Sequence, residues 1–262
     1  MQTGKVVDYI VDWLKTYALN ARCKGFVIGV SGGIDSAVTS TLCARTGLPL
    51  LCIEMPIHQG AKQVTRADRH IDWLQSNFDN VSRQAVSLTP VFDQLVAALP
   101  DVQNEEDRFM SLANTRARLR MTTLYYFAAL RNYLVAGTGN KVEDFGIGFY
   151  TKYGDGGVDL SPIADLLKTE VYELGDYLGV NEDIMNAAPT DGRWGDDRTD
   201  EDQIGASYPE LEWAMAMNDK GRTADDFTGR EKEIFEIFKR YNNANRHKMI
   251  PIPVCEIPAE LK

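Results

Sequence analysis

Phe26-Val27-Ile28-Gly29-Val30-Ser31-Gly32-Gly33-Ile34-Asp35-Ser36 is the stretch on which the reading of this chain turns. An apolar run ends in Ser-Gly-Gly, and Ser36 to Arg45 continues with Ala, Val and Leu, so the order is strand, tight loop, helix. A loop of this kind leaves main-chain N–H groups without partners at the positive end of a helix dipole, which favours an anion. Paired glycines permit positive φ and let a phosphate approach without a Cβ in the way, while Ser31 and Ser36 add hydroxyl donors. Asp35 is the odd member, because a carboxylate repels a bare polyphosphate; its presence predicts a bridging Mg2+. The lysine of GxxxxGK[ST] is absent, so this is not a Walker A loop. A capped turn without a ligand is the plain alternative, and six defined positions after an apolar strand favour a nucleotide.

Working outward, the first helix carries Val7, Ile10, Val11, Leu14 and Tyr17 on one face. Leu50 to Met55 reads as a second strand, Ala61 to Asn77 as a polar helix and Val81 to Val86 as a third strand. Leu88 to Leu99 is expected to be helical, as is Asp107 to Asn132, where Phe109, Leu112, Leu119, Thr123 and Tyr126 fall near helical spacing. Tyr133 to Ala136 is then a strand entering Gly137-Thr138-Gly139. Alternating strands and helices with Gly-rich strand exits predict an α/β fold, a doubly wound parallel sheet flanked by helices, with ligands at the carboxyl ends of the strands. The polar segment Asp191 to Asp202 is expected to be a mobile loop, either a lid or an ordinary surface insertion. Helices around Glu210 to Met217 and Glu231 to Tyr241 precede Pro251, Pro253 and Pro258, which stop regular structure. With no repeat or linker, residues 1–262 read as one domain.

Composition narrows the function. Against 28 Lys and Arg stand 38 Asp and Glu, a net charge of −10 that opposes broad attachment to nucleic acid or an anionic membrane. Four cysteines without a CxxC pair and three scattered histidines argue against zinc and against a disulfide framework. No apolar run approaches a bilayer span, and the N-terminus lacks the pattern of a signal peptide, so a cytoplasmic protein is expected.

Two further stretches carry a resemblance. Gly137-Thr138-Gly139-Asn140-Lys141-Val142-Glu143 follows a strand, and Phe149-Tyr150-Thr151-Lys152-Tyr153-Gly154-Asp155-Gly156-Gly157-Val158-Asp159 comes next. SGGIDS resembles the pyrophosphate loop of the ATP pyrophosphatase superfamily. Together with GTGNKVE and FYTKYGDGGVD it resembles the ammonia-dependent NAD synthetases, from about Lys24 to Pro253. The resemblance implies an adenine nucleotide alpha hydrolase-like fold, with Gly29, Val30, Ser31, Gly32, Gly33, Ile34, Asp35, Ser36, Thr138, Lys168 and Thr190 on ATP. It implies Asp35 and Glu143 on Mg2+, Arg118, Lys152, Asp159, His247 and Lys248 on deamido-NAD, and Asp35 and Lys152 as catalytic groups. Arg116, Arg118 and Arg120 alternate along one helix, so at most one or two of them face the site. Near the C-terminus Met249 stands where the family's His-Lys-Arg element has arginine, which weakens an anion contact.

The implied reaction is adenylation of the nicotinate carboxylate of deamido-NAD by ATP and its amidation by ammonia. The family also implies a homodimer. The chain offers no room for a glutaminase domain beside the synthetase region, so free ammonia is the expected donor, with a separate amidotransferase left open. Other ATP pyrophosphatases compete: a GMP synthetase module, an asparagine synthetase relative or a tRNA thiolase. The acidic balance and the unpaired cysteines weigh against the tRNA enzymes. A non-catalytic nucleotide sensor would need the phosphate loop but not both metal carboxylates.

Overall fold

The computed structural model describes residues 1–59, 61–187 and 199–262, and for residues 61–64 the backbone alone. Its sheet holds β1 (Phe26–Gly29), β2 (Leu50–Glu54), β3 (Val81–Ala85) and β4 (Leu134–Val135), all parallel, in the order β3-β2-β1-β4. Gly29 pairs with Ile53 on one side of β1, and Val27 pairs with Val135 on the other. A single parallel bridge between Ala136 and Leu160 lengthens the β4 edge.

The apolar runs in β1 and β2 are continuous because both sheet faces are covered. Phe26, Ile28, Leu50 and Cys52 point into one core with α1 (Thr3–Asn20), α2 (Ile34–Arg45), α3 (Ala61–Asn77) and the later α6 (Lys168–Leu178). Val27, Leu51 and Ile53 point the opposite way, against Phe92 of α4 (Thr89–Ala98) and Leu112, Leu119 and Leu124 of α5 (Glu105–Arg131). Each fully buried side chain such as Phe26 or Leu50 contributes on the order of 1.5–3 kcal/mol. After α6 come α7 (Glu182–Met185), α8 (Asp200–Ile204), α9 (Tyr208–Asp219) and α10 (Gly229–Met249). A third core joins α9 and α10 to a π-helical turn, Val142–Ile147, through Leu211, Phe235, Phe238 and Ile147.

Two stripes expected from the sequence are rotated. In α1 the buried face is Val7, Ile10, Leu14 and Ala18, and Tyr17 is 42% exposed, because the 3.6-residue period carries the stripe past it. In α5 Tyr126 is 63% exposed, whereas Ala113 and Ala128 are buried. That helix starts where Asn104 accepts from the N–H groups of Glu106 and Asp107, and stops at Asn132, which takes a left-handed conformation. Both stops match the sequence expectation within two residues. Among the described residues, no helix is long and apolar enough to cross a membrane.

Candidate active site

Strand order determines where the site lies. From β1 the chain proceeds through β2 to β3 on one side, and β4 then pairs on the other, so the direction of winding switches between β1 and β4. In open α/β sheets the crevice at such a switch point is where ligands bind. Both Gly-rich loops leave the sheet there, and a cavity of about 380 Å3 opens between them. Gly29 to Ser36 line it, with Thr138, Glu143 and Lys168.

The first loop is held by its own serines. Ser36 Oγ donates to the Gly33 carbonyl at 2.9 Å, the Gly33 N–H donates to Ser31 Oγ at 3.3 Å, and the two hydroxyls lie 3.1 Å apart. Gly32 has φ +81, a conformation that side chains with a Cβ rarely adopt, so glycine is required at this turn. Asp35 falls in the first turn of α2. In the second loop Asn140 is fully buried; its Nδ2 donates to Asp35 Oδ1 at 3.1 Å, and its Oδ1 accepts from the Glu143 N–H at 3.1 Å. Glu143 lies in the first turn of the π-helical segment, a distortion that often marks functional sites. From α10, Asn242 and Asn245 hold that turn by donating to the carbonyls of Gly146 and Ile147 at 2.7 and 2.8 Å.

Lys168 joins the two loops. Its Nζ donates to Asp35 Oδ2 at 2.5 Å and to Glu143 Oε1 at 3.1 Å, and its side chain is 4% exposed. An ammonium at the first residue of α6 sits at the wrong end of a helix dipole, and the two carboxylates offset that. Tyr208 closes the group: its hydroxyl donates to Glu143 Oε1 at 2.6 Å and its ring lies under the ammonium at 4.8 Å. Burial and the nearby Glu143 charge raise the Asp35 carboxyl, against the pull of Lys168. Burial also pushes Glu143 upward, but Lys168 and the Tyr208 and Asn140 hydrogen bonds outweigh it and hold that carboxyl low. Lys168 stays charged, since its two carboxylates outweigh its burial. Asp144 lies beside Gly139, where a Cβ would fall 2.1 Å from its carboxylate. Burial, then the Glu143, Asp155 and Asp35 charges, push Asp144 up to about 8.

The residues matched to the second substrate form a separate, more exposed edge. Arg118 Nε donates to the Lys152 carbonyl at 3.3 Å, and Lys152 Nζ donates to the His247 carbonyl at 2.8 Å. Lys248 Nζ donates to the carbonyls of Gly148 and Tyr150, both at 2.8 Å. Asp159 accepts from Tyr125 at 3.0 Å and from the Val135 N–H at 2.8 Å, against β4. Arg116 and Arg120, one helical turn apart, line the cavity, and Arg118 on the next face of α5 does not. Thr190 lies outside the described residues, as does most of the Asp191 to Asp202 segment. Sequence reasoning missed Asn140 and Tyr208; the Asn that ends Gly-Thr-Gly-Asn was the one local signal available.

The NAD synthase family model matches residues 6–251. The NH(3)-dependent NAD(+) synthetase of Carboxydothermus hydrogenoformans is 38% identical over 229 residues, covering 85% of this chain and 89% of the relative. Among solved structures, the NMN synthetase of Francisella tularensis superposes with a TM-score of 0.83 at 31% identity, covering 99% of each chain. The NH3-dependent NAD synthetase of Campylobacter jejuni superposes with a TM-score of 0.77 at 26% identity, covering 98% of this chain and all of the other. A family match over nearly the whole sequence, on a sheet whose switch point carries both Gly-rich loops, makes this chain a member of the NAD synthase family.

Proposed function

We propose that this chain is an ammonia-dependent ligase that adenylates the nicotinate carboxylate of deamido-NAD with ATP and amidates it, giving NAD, AMP and pyrophosphate. The observation that carries this reading is the convergence of Asp35 and Glu143, from two separate strand exits, on one cation beside a phosphate-type loop. Oxygen donors alone, on two carboxylates that already reach a common positive charge, fit Mg2+. Among the described residues no cluster of three or more His, Cys, Asp or Glu forms a ready-made cage, which suits an ion that takes its remaining ligands from phosphate and water. When bound, Mg2+ supplies neutralisation of polyphosphate charge.

The chain's own groups carry the rest. The Gly29 to Ser36 loop, running into the first turn of α2, seats the outer phosphoryl groups, with Thr138 and Lys168 at the same cavity and Thr190 as a further ATP residue. The carboxylate oxygen of the pyridine acid forms a bond to the α-phosphorus as the bond between that phosphorus and the bridging oxygen breaks, and pyrophosphate leaves with the electron pair. Ammonia then adds to the acyl carbonyl, loses a proton and expels AMP. Neither step needs a protein nucleophile, so fixed charge and positioning dominate. Arg118, Lys152, Asp159, His247 and Lys248 receive the dinucleotide, and Asp35 and Lys152 are the groups assigned to catalysis. The exposed Tyr126 and Leu130 on α5 and Tyr9 on α1 offer apolar surface for a homodimer. A cytoplasmic location without nucleic-acid or membrane partners completes the reading.

The test is an assay of AMP, pyrophosphate and NAD formed from ATP, deamido-NAD and ammonium. ATP binding without turnover would favour a nucleotide sensor. A second reading, amidation of nicotinate mononucleotide, is favoured by the likeness to the Francisella NMN synthetase. The same assay run with both acids separates them, since a higher kcat/KM for the mononucleotide would select the second.

A further inference from the structure

Most cations of the cavity are already engaged. Lys168 is bound by Asp35 and Glu143, and Arg83 by Glu54, Asp68 and Asp72. Arg116 stacks over the Phe92 ring at 4.4 Å, and Arg120 Nε donates to the Met55 carbonyl at 3.1 Å. Arg66 differs. It lies on α3, lines the cavity, and its Nε donates to the Gly32 carbonyl at 3.2 Å, at the turn of the phosphate-type loop. Its helix neighbour Arg69 is paired with Asp183, but among the described residues Arg66 has no carboxylate partner.

A guanidinium held through Nε keeps four N–H donors on its two terminal nitrogens, a planar fork that matches phosphate oxygens. The cavity is otherwise acidic near the loop, with Asp35, Glu143, Asp155 and Asp200 on its wall. A polyphosphate seated there needs a positive charge that is not already neutralised by the protein, and Arg66 is fixed against the loop that would hold it. We infer that Arg66 contacts the outer two phosphoryl groups of ATP and the departing pyrophosphate, as a further substrate-binding residue of this site. The inference rests on the ATP-cleaving reading given above.

Arg66→Met keeps most of the aliphatic stem and removes the charge; Arg66→Lys keeps the charge and removes the fork. Titrations of the full chain with ATP, pyrophosphate and AMP, in the presence of magnesium, read the contact directly. Arg66→Met is expected to weaken ATP and pyrophosphate by roughly tenfold or more and to leave AMP within about twofold, with Arg66→Lys between the two. Unchanged ATP and pyrophosphate affinity would overturn the inference. So would equal weakening of all three probes, which would assign Arg66 only to holding the Gly32 carbonyl. These titrations do not depend on turnover: a wild-type chain that binds ATP and makes no NAD would sink the proposed reaction while the three affinities still judge Arg66.

Discussion

Asn140 and Asp35 are 105 positions apart in sequence, yet the Asn140 amide donates to the Asp35 carboxylate at 3.1 Å while its oxygen holds the Glu143 N–H. One neutral side chain therefore aligns both acidic groups of the site, and it does so because β1 and β4 are neighbours in the sheet.

Replacing Asn140 with alanine leaves a buried N–H and a buried carboxylate oxygen without that partner. The expected cost is about 1–3 kcal/mol for each group left unsatisfied. Urea unfolding should show a lower midpoint with an unchanged m-value, and turnover should fall together with stability. Wild-type turnover in the variant would separate alignment of the acids from catalysis.

Lys168→Met removes the ammonium that bridges Asp35 and Glu143, and breaking a buried pair in this way typically costs about 3–5 kcal/mol. The sign of the pH response follows. Without the ammonium, burial and mutual repulsion raise both carboxyls above their unfolded values, so the variant binds protons more readily when folded. Its stability deficit relative to wild type should therefore shrink as pH falls from about 7 to about 5. A deficit that stays constant over this range would mean that the two acids are not left charged and buried.

His70 gives a pH response in the opposite direction, in the core between α2 and α3. It is fully buried on α3, with Nε2 2.9 Å from Ser40 Oγ and its ring stacked on Trp73 at 5.7 Å. Burial lowers it to about 4, against a smaller opposing effect of the Ala37 carbonyl. Below the ordinary histidine range the unfolded chain takes up a proton that the folded chain refuses, so stability is full above about pH 6.5 and is lost as pH falls towards 4. The loss approaches about 3 kcal/mol. His70→Phe should remove that slope, which urea melts across the window would detect.

How much of this was legible in the sequence depends on the distance over which each contact acts. The strand, the glycine turn and α2 were readable because an apolar run, paired glycines and a helical stretch are contiguous. Glu143 was singled out only through the resemblance carried by Gly-Thr-Gly-Asn-Lys-Val-Glu, and the structure sets it 3.1 Å from Lys168, which also reaches Asp35. Asn140, Tyr208 and Arg66 act across 105, 65 and 34 positions, and nothing local to them states what they touch. Among Arg116, Arg118 and Arg120 the alternation shows only that they diverge; the packing of α5 on the sheet turns Arg116 and Arg120 to the cavity and Arg118 to the Lys152 carbonyl. Tyr17 was lost to a small error of phase, since Ala18 is the residue that completes the buried face of α1.

Asp35→Asn is the sharpest probe of the site, because it changes charge with little change of shape. Asparagine at this position can still accept from Asn140, and Lys168 keeps its contact with Glu143 at 3.1 Å, so the fold should survive with a melting temperature close to that of wild type. Adenylation should not survive. Pyrophosphate release should fall by on the order of a hundredfold or more, since a preorganised charge facing the departing group is gone. The loss should appear in kcat more than in the KM for ATP, because the glycine loop and the first turn of α2 still seat the phosphates. Near-normal pyrophosphate release by this variant would remove Asp35 from the metal and catalytic roles together, and would leave Glu143 and Lys168 to carry the charge balance.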